Sequence, residues 1–582
     1  MQKVRNFGKE RKEIQKQGLA PKWLTTQGYQ LLATKYLNEG SKSPADQYRR
    51  IAKTLAQYVG DNYPEWWNEI EYWKGKSWED AFYSILWDGY LSPSTPVLSN
   101  TGTNLGQSVS CSGTYVGDSV YDFYESRLQN ALLSKEGFGT STYLGDIRPR
   151  GSAMKGGEAS GAQPVAEMFV DDSKKISQGS TRRGATAWYY PIDGGDFNEL
   201  VHYLETDTDG NNGGWCLTDA FKERLESGDK DAINRWGQML TCKTSVGSGY
   251  QFFVDKAKRQ RPQAYVNNNL DVKASQLCTE ITLFSDQQHT YTCVLGSENL
   301  RLWLSRPPML SFVNTVFLDC VCEDFIQKAK DLKGIEKAIR FTEKGRALGL
   351  GSMAFHTLLL DNKIVYGSME SKLLNHEIYS TVQDEATQAS QWLATVFGEP
   401  EWCKGTGMRN THLTAIAPNK STALILGGVS EGINPQPAFV FTQSTPSGEV
   451  VRIDPSFLEL LKEKGLYVNE DDLETKKLLS DISGHKGSIQ HRPEFTADEK
   501  AVFRTAFEIN MYDHIDLVDY RQKFVCQAQS CNLFIANATG KDISKIYFYA
   551  YAKPNIVSLY YHTGLRDASI KTSFEPVCSA CE

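Results

Sequence analysis

The residues of this sequence best suited to chemistry lie at positions 276–280, which read Gln-Leu-Cys-Thr-Glu. In an extended segment or a loop, alternate side chains share a face, so Gln276, Cys278 and Glu280 would project together. The amide can hydrogen-bond hydroxyl groups, the thiol can react at sulfur, and the carboxylate can move a proton. The same spacing is also typical of a buried cysteine beside a surface glutamate, so its interpretation depends on the other thiols.

Four further cysteines could exchange electrons with this segment. Cys111 and Cys293 each lie in a short run typical of a strand, whereas Cys578 and Cys581 stand on a C-terminal tether. Because thiol–disulfide exchange passes two electrons from one dithiol to another, these thiols could form a relay. An extended tether of seventeen residues reaches at most roughly 55 Å, which is far enough to enter a distant cleft.

Two adjacent tyrosines, Tyr560 and Tyr561, precede that tether. Each phenol can lose an electron and a proton together, and adjacency keeps the transfer step short. Ordinary aromatic packing accounts for most such pairs. Beside the cysteine set, the pair favours one-electron transfer.

A phosphate site is indicated by residues 415–423, which read Ala-Ile-Ala-Pro-Asn-Lys-Ser-Thr-Ala. Hydroxyl and backbone N–H groups at a helix start can bind a diphosphate, and a proline before the helix sets the turn. Lys420 adds a positive charge, although it could simply face solvent.

Composition indicates an enzyme of the reducing cytoplasm. The 582 residues carry a formal net charge of -7, which argues against a partner held by charge alone, such as nucleic acid or a membrane surface. The basic start of the chain is not followed by an apolar stretch, and no apolar run approaches the roughly 20 residues that span a bilayer. Twelve cysteines in such a chain are more often catalytic or metal-binding than structural.

The elements that must position these residues are those of a mixed α/β protein. Residues from about 20 to 90 favour helix, and from Leu91 onward short β-branched runs alternate with glycine-rich turns and helices. The clearest helix is predicted over 368–397, ended by Gly398 and Pro400. Residues 496–499 predict a capping box at the start of another helix.

Taken together, these motifs resemble the large catalytic subunit of class I ribonucleotide reductase, from about residue 20 to Glu582. The resemblance implies a ten-stranded α/β barrel with a catalytic finger loop bearing Cys278; periodicity alone indicates only α/β. It implies an N-terminal helical region at 1–90, a catalytic barrel domain at 91–565 and a flexible redox tail at 566–582.

The resemblance implies radical-based reduction of ribonucleoside diphosphates to 2′-deoxyribonucleotides for DNA synthesis. Cys278 resembles the cysteine that becomes a thiyl radical and removes the ribose 3′ hydrogen, and Glu280 resembles the base that takes the 3′-hydroxyl proton. Gln276 departs from the family's usual asparagine by one methylene, which puts its hydroxyl contact in doubt.

The same resemblance assigns the remaining thiols and the tyrosines. Cys111 and Cys293 resemble the pair that reduces the 2′ position while forming a disulfide. Cys578 and Cys581 match the tail thiols that reduce this disulfide again. Tyr560 and Tyr561 match the stacked tyrosines that carry the radical. The matching substrate positions are Thr95, Ser110, Pro418, Asn419, Lys420, Ser421 and Thr422.

A second nucleotide site is implied for dNTP or ATP as allosteric effectors. Asp118 resembles the acidic residue of the family's specificity site, and Arg148 resembles part of the neighbouring effector loop. Gln178 and Arg182 lie in a glycine-containing segment that resembles the loop linking effector to substrate choice. A basic surface turn is the alternative for that segment.

The resemblance also predicts cofactor and partners. The family's N-terminal ATP-cone is a helical module of about ninety residues, and here the core-like helices begin near residue 20, so the cone is expected to be missing. Dimetal sites in helical bundles commonly need two Glu-x-x-His units, and this chain has only Glu199-Leu-Val-His202, so we assign no metal ligands and expect no bound cofactor. The expected partners are a small subunit whose metal cofactor supplies the radical, a thioredoxin or glutaredoxin-type reductant, and a second copy in a homodimer.

Two alternatives stay open. A cobalamin-dependent (class II) ribonucleotide reductase would carry similar cysteines, but a cofactor beside Cys278 would need no tyrosine path. A zinc-stabilised interaction protein could instead combine Cys578 and Cys581 with Cys526 and Cys531, although their spacing is uneven.

Overall fold

Helices and strands alternate along most of the chain, in a mixed α/β architecture. The structure is a computed structural model. Within its described residues, we find no helix of the length and apolar character that crossing a membrane requires. The structure describes residues 5–38, 40–176, 184–445, 448–469 and 471–564.

The N-terminal region is helical, as predicted. Ser43 and Ser77 cap two of its helices by accepting a hydrogen bond from a backbone amide of the first turn. Buried indoles fill the space between helices: the Trp67 ring centroid lies 4.4 Å from that of Trp78 and 5.7 Å from that of Trp73. The elements are α1 (Phe7–Lys16), α2 (Thr26–Leu31), a π-helical turn (Leu32–Tyr36), α3 (Pro44–Val59), a 3-10 turn (Glu65–Asn68) and α4 (Trp78–Trp87).

The strands of the main sheet are largely buried along their whole length, which is typical of a sheet covered on both faces. Nine strands form this sheet, and β4–β5, β11–β12 and β13–β15 are separate two-stranded sheets. The strands of the described chain are β1 (Leu91–Pro93), β2 (Cys111–Tyr115), β3 (Thr140–Tyr143), β4 (Ala153–Met154), β5 (Gly157–Glu158), β6 (Thr186–Pro191), β7 (Asn211–Leu217), β8 (Tyr250–Phe253), β9 (Tyr291–Asn299), β10 (Leu348–Met353), β11 (Val440–Thr445), β12 (Gly448–Ile453), β13 (Leu533–Ile535), β14 (Ser558–Leu559) and β15 (His562–Gly564).

Hydrogen bonds close eight strands of the main sheet and two short bridge segments into a barrel of two halves. One half is the parallel set β2, β3, β6, β7 and β8. The other half comprises β9, β10, the segments 414–416 and 529–531, and β14, linked by parallel bridges and by the Tyr560 amide donating to the Cys531 carbonyl at 2.8 Å. The halves meet through the antiparallel pairs β2–β9 and β8–β14. The predicted ten-stranded barrel is therefore confirmed.

Helices connect the strands and cover the barrel. The long predicted helix is confirmed at Met369–Phe397, with Ser368 as its N-cap and Gly398 as its C-cap, and the predicted capping box is present at Thr496 and Glu499. The remaining helices are α5 (Thr95–Asn100), α6 (Val120–Lys135), α7 (Gln163–Lys175), α8 (Phe197–Thr206), α9 (Asp219–Glu226), α10 (Lys230–Val246), α11 (Val254–Arg259), α12 (Gln263–Asn267), α13 (Leu310–Ala329), α14 (Glu336–Gly345), α15 (Phe355–Asp361), α16 (Met369–Phe397), α17 (Lys420–Ile425), α18 (Pro455–Glu463), α19 (Leu473–Gly484), α20 (Ala497–Val502), α21 (Met511–Gln522) and α22 (Gly540–Ala552), with 3-10 turns at Leu300–Ser305 and Glu401–Cys403.

A buried irregular segment enters the barrel between α12 and β9. Residues 274–283 are all buried although they belong to no helix or strand. They contact both halves: the Ser141 hydroxyl on β3 donates to the Ser275 carbonyl at 3.3 Å, and the Ala528 amide donates to the Glu280 carbonyl at 2.9 Å. This is the predicted finger loop.

Outside the barrel, β11, β12, α18, α19 and α20 form what we call the peripheral unit. It has its own buried cluster, which includes Phe439, Phe457, Leu461, Ile482 and Phe503. The sequence did not indicate this separate cluster.

Candidate active site

The two strand cysteines face each other across an antiparallel pair. Cys111 on β2 is the direct partner of Cys293 on β9, and both are buried. Direct partners lie about 4.5–5.5 Å apart between Cα atoms, within the range of about 4.4–6.8 Å that a disulfide spans. Burial raises the pKa of Cys293 well above its ordinary value, and the Gln527 amide donates to its sulfur at 3.4 Å. The pair can close to a disulfide with little backbone movement.

Cys278 lies on a tight turn at the tip of the finger loop. Thr279 has a φ of 68°, in the left-handed region, and its amide donates to the Gln276 carbonyl at 3.0 Å. The Ser530 hydroxyl holds the Cys278 carbonyl at 2.6 Å. Across the barrel interior, the Tyr560 hydroxyl donates to the Cys278 sulfur at 3.6 Å. The turn thus directs the thiol at one of the two predicted tyrosines.

The same turn brings Gln276 and Glu280 together. The Gln276 Nε2 donates to Glu280 Oε2 at 2.5 Å, and the Ser530 hydroxyl lies 3.4 Å from the same oxygen. Both side chains are buried. The amide and the carboxylate of the predicted group therefore meet, and they do so through the turn that carries Cys278 rather than through alternation along an extended strand.

The tyrosine pair continues outward from Cys278. The Tyr560 and Tyr561 ring centroids are 4.2 Å apart. A third tyrosine, Tyr250 on β8, contacts both: its hydroxyl donates to the Tyr561 hydroxyl at 3.0 Å, and its ring centroid lies 4.9 Å from that of Tyr560. Three phenols and a thiol thus form a continuous chain of contacts.

A buried lysine holds the backbone beside these tyrosines. Lys243 on α10 is fully buried, and its ammonium group donates to the carbonyls of Tyr560, at 2.5 Å, and Gly249, at 3.0 Å. Burial lowers the pKa of Lys243 to about 7. The contact fixes the backbone beside the tyrosine pair and places a titratable charge there.

The predicted phosphate segment lies where segment 414–416 leaves the barrel. α17 begins at Lys420, after Asn419 with a φ of 60°. Asn419 is anchored to the ends of two strands: its Oδ1 accepts from the Ser297 hydroxyl at 3.0 Å, and its Nδ2 donates to the Ser352 carbonyl at 3.3 Å. Ligands of α/β folds bind at the carboxyl ends of strands, and a helix start there suits an anion.

The other predicted substrate residues lie beside the cysteines. Ser110 precedes Cys111 and its hydroxyl oxygen is 3.7 Å from the Cys111 sulfur. Thr95 is the first residue of α5, directly after Ser94, whose amide donates to the Leu295 carbonyl on β9. One buried cluster contains the central residues Cys111, Cys278, Cys293, Tyr250 and Tyr560.

The predicted effector residues Asp118 and Arg148 meet at the surface. The Arg148 side chain forms an ion pair with Asp118 at 2.5 Å, and the Arg148 amide donates to the same carboxylate at 3.2 Å. Asp118 lies just before α6, whose N-cap is Ser119. Gln178, Arg182, Cys578 and Cys581 lie outside the described residues.

Several functional contacts have no signal in the sequence. Tyr250 on β8 and Lys243 on α10 are remote from the finger loop in sequence, as are Gln527 and Ser530 in the segment between α21 and β13, and no motif surrounds them. A strand tyrosine or a helical lysine is ordinarily a packing or surface residue. Only the closed barrel brings them to Cys278 and Cys293.

The zinc alternative required Cys526 and Cys531 to share a site. The Cys526 sulfur instead accepts from the amides of Leu413, at 3.1 Å, and Thr414, at 3.2 Å. Cys531 is buried, with its sulfur 3.5 Å from His514 Nε2. Each sulfur has separate surroundings, and neither belongs to a cluster of metal-binding side chains in the described chain.

Comparison with known proteins agrees with this geometry. The chain matches the family model of the ribonucleotide reductase barrel domain at residues 109–233, 229–402 and 400–562, and that of the all-alpha domain at 22–106. No ATP-cone domain is found in the sequence. Among solved structures, the alpha subunit of the class Id ribonucleotide reductase of Actinobacillus ureae is similar, with a TM-score of 0.83 and 34% identity over 94% of this chain and 98% of that chain.

Similar sequences carry related names. The ribonucleoside-diphosphate reductase large subunit of Invertebrate iridescent virus 3 is 26% identical over 588 residues, covering 87% of this chain and 88% of that protein. The vitamin B12-dependent ribonucleoside-diphosphate reductase of Thermoplasma acidophilum is 28% identical over 495 residues, covering 78% of this chain and 61% of that protein. With both domain models matched along most of its length, the chain belongs to the ribonucleotide reductase large-subunit family of oxidoreductases.

Proposed function

We propose that this chain is the catalytic subunit of a class I ribonucleoside-diphosphate reductase, which replaces the 2′-hydroxyl group of a ribonucleotide by hydrogen. The observation that carries the proposal is the 3.6 Å contact between the Tyr560 hydroxyl and the Cys278 sulfur, at the inner end of a tyrosine pair. The reaction also requires a source of two electrons, and the facing pair of Cys111 and Cys293 can supply it.

In the proposed reaction, an electron and a proton leave Cys278 by way of Tyr560 and Tyr561, and the thiyl radical takes the 3′ hydrogen of the ribose. Loss of the 2′-hydroxyl group as water is then balanced by oxidation of the dithiol Cys111 and Cys293 to a disulfide. Cys278 returns the 3′ hydrogen, and its radical returns along the tyrosines. The net reaction consumes one dithiol and forms one deoxyribonucleotide, one water and one disulfide.

In this proposal, Glu280 accepts a proton from a ribose hydroxyl group and Gln276 orients Glu280. Glu280 takes the 3′-hydroxyl proton, because its carboxylate is the buried base nearest Cys278 along the turn. Its bond to the Gln276 amide orients the oxygen that accepts the proton. The longer glutamine reaches Glu280 directly, which gives the departure from asparagine a structural role.

The diphosphate of the substrate binds, in this proposal, at the start of α17. Ser421 and Thr422 are buried there, and Pro418, Asn419 and Lys420 shape the turn before them. The Ser297–Asn419 bond joins this turn to β9, the strand that also carries Cys293. The phosphate turn and the reducing pair are therefore linked through one strand.

We propose a homodimer with an effector site at the start of α6. Four apolar side chains of α6 are exposed in the single chain: Val120 by 69%, Tyr121 by 73%, Tyr124 by 56% and Leu128 by 59%. Tyr121, Tyr124 and Leu128 follow helical spacing and form one stripe. Because Asp118 and its partner Arg148 adjoin this stripe, a dimer contact there would couple to dNTP or ATP binding.

Replacing Tyr124 and Leu128 together by glutamate should weaken dimerisation by about 100-fold or more, since it puts two charges into an apolar interface. Sedimentation equilibrium of the purified chain measures this directly. Ile233→Glu, at an apolar residue 50% exposed on α10, is the matched control and should leave the dimer intact. An unchanged dimer in the double variant would exclude α6 as the interface.

The remaining partners follow from the same proposal. A separate small subunit supplies the radical through its metal cofactor, and a thioredoxin or glutaredoxin-type protein reduces Cys578 and Cys581, which in turn reduce the Cys111–Cys293 disulfide. A cytoplasmic location suits this thiol chemistry, because its thiols must be returned to the reduced state after each turnover.

Turnover of CDP separates the proposal from the cobalamin alternative. The purified chain with a radical-generating small subunit, ATP and dithiothreitol should form dCDP, and the chain alone should form none. Adenosylcobalamin without a small subunit should not replace it. Formation of dCDP with adenosylcobalamin alone would overturn the class I assignment.

A further inference from the structure

Three side chains suited to binding a transition metal converge in the peripheral unit, outside the barrel and its cysteines. Asp481 and His485 lie four residues apart at the end of α19, so they share one face of the helix. His491 returns to them from the following loop. One ligand atom from each residue lies within 4.8 Å of those from the other two, and within the described chain this is the one such group of three or more.

The contacts within this group are close. His491 Nε2 is 2.7 Å from Asp481 Oδ2, and His485 Nδ1 is 3.5 Å from Asp481 Oδ1. The two imidazole rings are stacked, with centroids 3.7 Å apart and planes inclined by 23°. Tetrahedral zinc with bonds of about 2.0–2.1 Å has ligand atoms about 3.3 Å apart. His485 Nδ1 is 2.9 Å from the Asp481 backbone carbonyl, so metal binding requires the His485 side chain, which is 55% exposed, to leave that contact and turn a ring nitrogen towards the ion.

The loop that returns His491 is fixed by the fold. Lys486 and Gly487 adopt positive φ values of 60° and 76°, and the Gly487 amide donates to the Ile482 carbonyl at 2.8 Å. A Cβ at Gly487 would lie 2.5 Å from that of Ala438, so the turn is packed closely against the chain just before β11. Ile489 is buried beyond it. Two histidines from separate segments are thus held together by backbone structure.

The charges around the group are mixed. The Asp481 Oδ2 atom lies 2.7 Å from His491 Nε2 and accepts a hydrogen bond from Arg492. Arg492 Nη1 lies 3.0 Å from Asp481 Oδ2, while its Nη2 pairs with Glu494. Arg492 therefore competes with a metal for Asp481 and retains a second partner when displaced.

We propose that Asp481, His485 and His491 bind one Zn²⁺ ion, with water in the fourth position. Two imidazoles and one carboxylate are a ligand set that zinc takes in proteins, and the exposed side of the group leaves room for the water. The ion would join α19 to the loop after it and so stabilise the peripheral unit. No Glu-x-x-His or paired-cysteine motif marks this site, so its ligands are visible only in the folded chain.

The test is a zinc titration of the chelator-treated full-length chain followed by calorimetry. Cys578→Ser and Cys581→Ser are introduced in every sample, so that the tail thiols do not take up zinc. We expect one equivalent of tight binding, reduced about 100-fold by His491→Ala or by His485→Ala. His202→Ala, at an exposed histidine of α8, is the control and should bind as the parent does.

Two further measurements distinguish zinc binding at this site from a damaged fold and from binding to thiols. Arg492→Gln should bind zinc more tightly than the parent, a change that a merely damaged fold would not produce. Cobalt bound in place of zinc should show no sulfur-to-metal charge-transfer band, because the ligands are nitrogen and oxygen. Equal zinc affinity in the parent and in both histidine variants, or a thiolate spectrum with cobalt, or no binding at all, would overturn the proposal.

Discussion

Cys278→Ser is expected to lower dCDP formation by about 10⁴-fold or more, equivalent to about 5.5 kcal/mol or more of lost transition-state stabilisation. The substitution keeps the size and the turn geometry, which depends on the backbone of residues 276–279 and on Ser530. It removes the one atom that can hold a radical at this position, because the O–H bond of an alcohol is much stronger than the S–H bond of a thiol. Initial rates with the small subunit, CDP, ATP and dithiothreitol measure the effect.

The control for this variant is Cys403→Ser, the same change at a buried cysteine in the 3-10 turn Glu401–Cys403. Burial raises the pKa of the Cys403 thiol to about 12, and the charged groups that act on it are Glu399, Arg409 and Asp319. It should retain most of the activity while losing some stability. A Cys278→Ser enzyme with normal turnover would show that the thiol is not the hydrogen-abstracting group.

Tyr560→Phe should abolish turnover almost as completely, by about 10³-fold or more, because phenylalanine cannot lose an electron and a proton together. The ring still packs against Tyr250 and Tyr561, so the structural cost is limited to one hydroxyl and amounts to about 1 kcal/mol. Binding of CDP should be unchanged, which separates loss of radical transfer from loss of the substrate site. Turnover and equilibrium CDP binding are both measured.

Tyr366→Phe provides the matched control. Tyr366 is also buried, and its hydroxyl contacts His514 Nδ1 at 2.7 Å, whereas that of Tyr560 contacts the Cys278 sulfur. Its loss should lower the melting temperature but leave dCDP formation close to the parent rate. If both tyrosine variants were equally impaired, the effect at Tyr560 would be structural rather than redox.

The sequence predicted features that depend on residues close together in the chain, such as helix ends and reactive side chains. Ser368 and Gly398 bound α16 because caps act within one turn of the helix, and the capping box at Thr496 follows the same reasoning. The cysteines and tyrosines could be assigned because thiols and a tyrosine pair in this order are uncommon. Their roles followed from family resemblance, and the barrel then placed Cys111 opposite Cys293.

The sequence was silent where function depends on distant segments meeting. Lys243 reaches Tyr560 across 317 positions, and Gln527 reaches Cys293 across 234. Such contacts are set by strand order and register, which no local pattern encodes. The peripheral unit and its group of Asp481, His485 and His491 were missed for the same reason.

The most direct test of the account places 3-aminotyrosine, which is more easily oxidised than tyrosine, at position 560 of the full-length chain. After mixing with the small subunit, CDP and ATP, electron paramagnetic resonance should show an aminotyrosyl radical at position 560, formed as the partner's radical is lost, with dCDP formation strongly reduced. The same radical should form when Cys278 is serine, because Tyr560 precedes Cys278 in the path. If the partner's radical is lost and dCDP forms at the normal rate, but no radical appears at position 560, the proposed route is contradicted.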